Sequence, residues 1–183
     1  MVYDSITQRL ISGLAPERVR DSRLEDEVVA LFDQFRDRLL RYLLSFGLTV
    51  QDGEEVIQEV FLSLFQHLQR EKPRENLRGW LFRVAHNLGL KKREERRLSY
   101  VEIDEGSAID PAPSPEAEVI YSQRRRRLLS VVQALPEQDR RCLFLRAEGL
   151  RYREIAAILD MSLGGVSQSL ARSLGRIARV AEL

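Results

Sequence analysis

LPEQDRRCLFLRAEGLRYREIAAILDMSLGGVSQSLARSLGRIARV, residues 135–180, decides the fold. Pro136 stands where a first-turn residue loses no useful donor, Leu143, Phe144 and Leu145 form a helical run, and Gly149 supplies a left-handed cap. The first helix therefore stops near Glu148. A second helix from about Arg151 carries Ile155, Ala156, Ile158 and Leu159, Asp160-Met161 makes a sharp turn, and Ser162 offers a side-chain oxygen as N-cap of a third. On that third helix Val166, Leu170, Leu174 and Ile177 read as one apolar stripe, with Gln168, Arg172, Arg176 and Arg179 pointing away. Two helices joined this way are a helix-turn-helix. A polar, cationic outer face suits the major groove, since Gln bonds base edges, Arg bonds guanine or phosphate, and a helix N-terminus favours phosphate. A plain three-helix bundle with a solvated charged face has the same pattern.

Upstream, Ile120 to Ala134 restarts a helix with Arg124 to Arg127, which either contact DNA or solvate a face. Before it, Leu98 to Gln123 holds no Lys or Arg, while Glu102, Asp104, Glu105, Asp110, Glu116 and Glu118 are acidic and Pro111, Pro113 and Pro115 alternate. Such a composition buries too little apolar surface to fold alone. It reads as a flexible acidic tether, or as a segment whose charge lets it occupy a channel built for nucleic acid.

The N-terminal half is also helical. Val28, Leu31, Phe32, Phe35, Leu39, Tyr42, Leu43 and Phe46 recur at three- and four-residue steps up to Gly47. Thr49 to Gly53 reads as a turn before a helix from about Glu54 to Gln69, with Ile57, Val60, Phe61, Leu64 and Leu68 inward and Gln58, Glu59, Leu62 and Gln66 outward. Asp52, Glu54 and Glu55 at its start suit the helix dipole, or a docking face for a basic partner. Residues 69–79 are a polar loop. In the helix that follows, Leu81, Val84, Ala85 and Leu88 give a core stripe and Lys91, Lys92, Arg93, Arg96 and Arg97 a basic end. Those cations complement the dipole; beside Trp80 and Phe82 they also suit backbone contact and base stacking on opened DNA. Residues 1–22, where Gly13 and Pro16 interrupt any long helix, read as a short, partly helical extension.

The whole is expected to be all-α: an extension (1–22), a helical domain (23–97), an acidic linker (98–119) and a C-terminal helix-turn-helix domain (120–183). With 29 Lys and Arg against 28 Asp and Glu, net charge excludes little, and only its distribution informs. Cys142 is the only cysteine, which excludes an intrachain disulfide and fits a reducing compartment as a buried thiol. His67 and His86, read as helix-surface residues, form no metal-binding or catalytic cluster, and no phosphate loop is present. No cofactor, metal or enzymatic activity is expected. Without a signal-like or membrane-spanning segment, the expected location is the cytoplasm.

The order of these features is more specific than any one. DGEEVIQEVFLSLFQHL at 52–68, NLRGWLFRVAHNLGL at 76–90, the acidic linker and the closing helix-turn-helix together resemble the extracytoplasmic-function (ECF) sigma factors of bacterial RNA polymerase, in the sigma-70 family. The resemblance implies a non-catalytic specificity subunit that binds the polymerase core (β′ and β subunits) and promoter DNA, with an anti-sigma factor as a further partner. It implies that Glu55, Gln58, Glu59 and Leu62 dock on the β′ coiled coil. Asn76, Trp80, Arg83, Asn87, Lys91, Lys92 and Arg93 become candidates for the −10 element, with Trp80 read equally as core. Ser167, Gln168, Arg172 and Arg176 become candidates for the −35 element. The linker would thread toward the active-site cleft and RNA exit channel.

Some positions depart from the commoner pattern. Lys91 stands where many members carry an acid, and Gly164-Gly165 weaken the start of the recognition helix by about 1 kcal/mol each relative to alanine. Two rival readings stay open: a sigma mimic that sequesters an anti-sigma factor, and a stand-alone helix-turn-helix regulator.

Overall fold

The computed structural model describes the backbone of residues 3–99 and 118–181, and side-chain surroundings over 22–98 and 126–179. The elements, in chain order, are α1 (Tyr3–Leu44), α2 (Val50–Gln69), α3 (Leu77–Ser99), α4 (Glu118–Gln133), α5 (Glu137–Ala147), α6 (Tyr152–Leu159) and α7 (Leu163–Ala181). No strand occurs among the described residues, as the all-α reading expects. The tether expected over 98–119 falls largely on residues outside those described.

Two boundaries differ from expectation. Helix α1 runs unbroken through Gly13 and Pro16. Helix initiation is costly and propagation cheap, so a segment joined to a packed helix extends through residues that would stop it in isolation. Helix α2 begins at Val50 rather than at Glu54, because Thr49 and Asp52 form a capping box: the Thr49 hydroxyl accepts from the Asp52 amide at 3.1 Å, and the Asp52 carboxylate accepts from the Thr49 amide.

Helices α1, α2 and α3 pack as a bundle. Leu39, Tyr42 and Leu43 of α1, Ile57, Val60 and Leu64 of α2, and Leu81, Phe82 and Ala85 of α3 are fully buried. Each large apolar side chain buried this way contributes about 1.5–3 kcal/mol. Phe82, read from the sequence as a stacking platform for DNA, is thus core, in edge contact with Tyr42.

His86 is likewise buried rather than on the surface. A polar ring is tolerated there because its Nδ1 lies 2.9 Å from the Tyr42 hydroxyl. Burial, reinforced by the positive charges of Arg141 and Arg93, pushes the His86 pKa down to about 4. Burial pushes the Tyr42 phenol far up, so a protonated hydroxyl and a neutral imidazole share this hydrogen bond.

Helix α3 approaches α1 at Gly89. A Cβ there would lie 2.7 Å from Leu43 Cδ2 and 2.9 Å from Phe46 Cε2.

In the C-terminal part α5, α6 and α7 enclose Cys142, Leu145, Leu150, Ile155, Val166 and Leu170, and α4 lies along α7. Cys142 is a buried thiol as expected, its pKa raised by burial. Gly149 (φ +82°) and Asp160 (φ +51°) supply the left-handed turns that end α5 and α6. Ser162 Oγ accepts from the Gly165 amide at 3.0 Å and caps α7. One stripe residue is corrected: Leu174 is 56 % exposed, and Ser169 and Ser173 point inward with Val166 and Leu170. At 100° per residue position 173 stays close to the line of 166, 170 and 177, whereas position 174 turns away. The serines fit because their hydroxyls are bonded, Ser169 to Asp139 Oδ1 at 2.7 Å and Ser173 to the Ser169 carbonyl at 2.9 Å.

The two parts touch: α5 lies against α1, α6 lies against α3, and their apolar residues join one contiguous cluster.

Gly89→Ala is expected to lower stability by about 1–3 kcal/mol through overpacking, although alanine is the better helix former; urea unfolding of the two proteins checks the sign. A second expectation concerns acid. Neutral buried His86 contributes stability that is fully present above its ordinary pKa of 6.5 and is lost as pH falls toward about 4. The melting temperature should fall across that window, and His86→Gln should flatten the fall.

Candidate functional site

On α2, the spacing of positions 55, 58, 59 and 62 places Glu55, Gln58, Glu59 and Leu62 on the face opposite the core, and all of them are exposed. Leu62 is 59 % exposed, an apolar centre flanked by acids and an amide. The stripe expected to dock on a partner is therefore assembled.

The basic end of α3 folds back over the start of α2. Lys92 Nζ donates to Glu55 at 2.5 Å and lies 4.0 Å from Asp52, and Arg96 donates to Asp52 at 3.2 Å. The hydrogen bond to Glu55 raises the Lys92 pKa. Residues expected on two different surfaces, Glu55 for one partner and Lys92 for another, are thus bonded to each other. Lys91 pairs with Glu95 at 3.7 Å on an exposed face, and Arg93 pairs with Glu137 of α5.

Asn76 opens α3 from the left-handed region (φ +55°), its Oδ1 accepting from the Gly79 amide at 3.2 Å. A Cβ on Gly79 would sit 2.4 Å from Asn76 Nδ2, so this cap requires glycine at 79. Trp80 is half-buried, its ring 4.8 Å from that of His67, which in turn lies within 2.9 Å of the Pro73 carbonyl. Steps of three and four put Trp80, Arg83, Asn87 and Lys91 on one face of α3. Arg83, Asn87 and Lys91 are exposed, and Arg83 has no ion-pair partner among the described residues. Trp80 and Arg83 line a cleft with Glu75, Asn76 and Gly79, and the far wall is Glu154 and Ile158 of α6.

On α7, Ser167, Gln168 and Arg176 are exposed. Arg172 is differently placed: its guanidinium is bidentate on Asp139, with Nε at 3.1 Å and Nη2 at 2.8 Å, while Ser169 donates to the same carboxylate. The Arg172 hydrogen bonds hold the Asp139 pKa below its ordinary value against the opposing effect of burial. Arg172 remains half-exposed, but its donors on this side serve the domain's interior. Asp139, which holds Arg172 and Ser169, is the residue of this site that sequence reasoning missed. The signal was available: positions 139, 142 and 145 share a helical face, and Cys142 and Leu145 mark it as buried.

Among the described residues no group of His, Cys, Asp and Glu is arranged to hold a metal, and no helix is long and apolar enough to cross a membrane.

The model for sigma-70 region 2 matches residues 31–97, and that for sigma-70 region 4 matches residues 125–177. The chain is 32% identical over 151 residues to the ECF RNA polymerase sigma factor SigE of Mycolicibacterium smegmatis, covering 80% of this chain and 57% of that protein. It is 31% identical over 130 residues to the probable RNA polymerase sigma factor RfaY of Xanthomonas campestris, covering 68% of this chain and 32% of that protein. The ECF RNA polymerase sigma-E factor of Escherichia coli K12 is 28% identical over 133 residues, covering 67% of this chain and 70% of the relative. The chain thus spans about half and a third of the length of the first two relatives. In fold it is similar to the sigma factor RpoE of Bartonella quintana, solved in complex with the anti-sigma factor NepR: TM-score 0.63, 18% identity, covering 86% of this chain and 98% of that one.

Removing Arg172 strands a buried carboxylate, so Arg172→Ala should lower the melting temperature of the protein even without DNA. The pair's contribution is present above the ordinary carboxyl range and is lost as pH falls through the depressed Asp139 value. A double-mutant cycle with Asp139→Asn should show strong non-additivity; additive losses would mean that the two side chains act separately.

Proposed function

This chain belongs to the ECF group of the sigma-70 family, and we propose that it binds bacterial core RNA polymerase and directs promoter recognition, DNA opening and transcription initiation. The observation that carries the reading is the outward stripe of Glu55, Gln58, Glu59 and Leu62. A leucine so exposed, ringed by acids and an amide, has no packing role in this chain and fits a basic, partly apolar partner surface.

On this reading α2 anchors the protein to the β′ coiled coil. Asn76, Trp80, Arg83, Asn87 and the basic end of α3 face the opened −10 strand, with Trp80 offering a ring edge and Arg83 a free cation. Ser167, Gln168 and Arg176 face the −35 duplex from α7, while Arg172 supports that helix through Asp139. The 98–119 segment tethers the two readers, and residues 23–97 and 120–183 act as separate recognition units. The protein contributes positioning and no covalent chemistry, and it acts in the cytoplasm, where polymerase is. An anti-sigma factor is a further partner, as for the solved relative.

Transcription in vitro from a library of genomic fragments, with sigma-free core enzyme and this protein, is expected to yield new discrete starts sharing upstream elements. Core binding without starts would favour the mimic, and neither would favour the stand-alone regulator. Gln58→Ala with Glu59→Ala is expected to weaken core binding by roughly tenfold, ~1.4 kcal/mol, while leaving binding to the isolated −35 duplex intact. Unchanged affinity for core would remove α2 as the anchor.

A further inference from the structure

Along the outward side of α7, Gln168, Arg172 and Arg176 recur every four residues and form one row. Gln168 and Arg176 are exposed, whereas Arg172, between them, is tied from the inside. Its Nε and Nη2 bond side-on to Asp139 at 3.1 and 2.8 Å; the carboxylate is 4 % exposed, yet the Arg172 side chain remains 55 % exposed. Asp139 is itself fixed. Ser169 Oγ donates to its Oδ1 at 2.7 Å, and the face of α5 that carries it also carries the fully buried Cys142 and Leu145.

A guanidinium holds five N–H donors in one rigid plane. The side-on contact uses one donor on Nε and one on Nη2. The end-on edge, formed by Nη1 and the second N–H of Nη2, is turned away from the carboxylate, and Nη1 has no hydrogen-bond partner among the described residues. Two parallel donors match the O6 and N7 acceptors of guanine in the major groove. They also match phosphate oxygens, but attraction to phosphate is chiefly a matter of net charge. Asp139 offsets the charge of Arg172 and leaves its remaining donors directional, which favours the base edge. Fixing the side chain beforehand also lowers the rotamer freedom that binding would cost.

We propose that Asp139 is a positioning residue for base readout: by holding Arg172 side-on, it presents the end-on edge of the guanidinium to a guanine of the −35 duplex, one helical turn from Gln168. The proposal rests on reading α7 as the −35 recognition helix, and it gives Arg172 a role beyond supporting that helix.

Selection of duplexes from a randomised library by the full-length protein, alone and with sigma-free core enzyme, supplies the test, followed by affinities for the selected duplex and its single-base-pair variants. The native chain is expected to select a G·C pair at the position that Arg172 reads. Arg172→Lys keeps a charge beside Asp139 but has no planar edge, and should reduce the preference at that pair roughly fivefold to twentyfold while other positions keep theirs. Asp139→Asn should erode the same preference, even though removing a negative charge would strengthen a contact governed by charge alone. The two causes therefore have opposite signs. Ser169→Ala leaves both Arg172 bonds in place; it should lower the melting temperature and keep the preference, which separates positioning from stability.

The proposal is overturned if no duplex is selected, if the G·C preference survives Asp139→Asn, or if Arg172→Lys lowers affinity evenly at all positions with a shallower salt dependence, the mark of a phosphate contact. Should Asp139→Asn lack a native melting transition, Arg172→Lys decides, because a retained preference would mean that no planar edge is used. Silence in the transcription assay beside an Arg172-dependent G·C preference would count against the promoter reading and not against the readout.

Discussion

The close approach of α3 to α1 at Gly89 is the constraint on which the rest of the structure depends. With no Cβ between them, Leu43 and Phe46 reach the α3 backbone, which brings Phe46 and His86 into edge contact and sets His86 against Tyr42. The same packing presents the outer side of Phe46 to Arg141, so the N-terminal bundle creates the surface on which α5 rests. A steric fact at one glycine thereby reaches the relation between the two halves. The aromatic seam has one protonation state that fits it, because a charged imidazole would face burial and two guanidinium groups at once.

Charge in this protein is spent locally. The cations at the end of α3 look like a free basic patch in the sequence, yet Lys92 and Arg96 reach the acids of α2, Lys91 reaches Glu95 and Arg93 crosses to Glu137. A nearly balanced composition, 29 Lys and Arg against 28 Asp and Glu, makes this outcome natural. The consequence is competition: on the proposed promoter-binding reading, phosphates displace carboxylates from several of these cations. Arg172 is the extreme instance, since its carboxylate is buried and two of its donors are already used.

Much of the fold was legible. The helix-turn-helix was read with its left-handed Gly149, its turn at Asp160 and its Ser162 cap, because these are local requirements written in residue types that meet them. The outward stripe of α2 followed from period alone. The misreadings share a different cause. Leu174 looked like core because hydropathy ranks a leucine above a serine, and only the presence of Asp139 across the domain makes the buried Ser169 stable. His86 and Phe82 were read as surface groups because Tyr42, far away in sequence, was not visible as the neighbour whose hydroxyl meets His86 and whose ring meets Phe82.

The sequence by itself determined the helices, their caps, the faces they bury and the family to which the motifs belong, because those are properties of residues a few positions apart. Only the tertiary structure decided which charges neutralise which, that Arg172 turns to Asp139, and that α5 and α6 lie over the cleft beside Trp80 and Arg83. The Arg172–Asp139 and Arg38–Glu148 pairs join residues 33 and 110 positions apart. Coulombic and hydrogen-bonding partners are chosen by distance in space, and with so many acids and bases available, composition allows far more pairings than one packing realises.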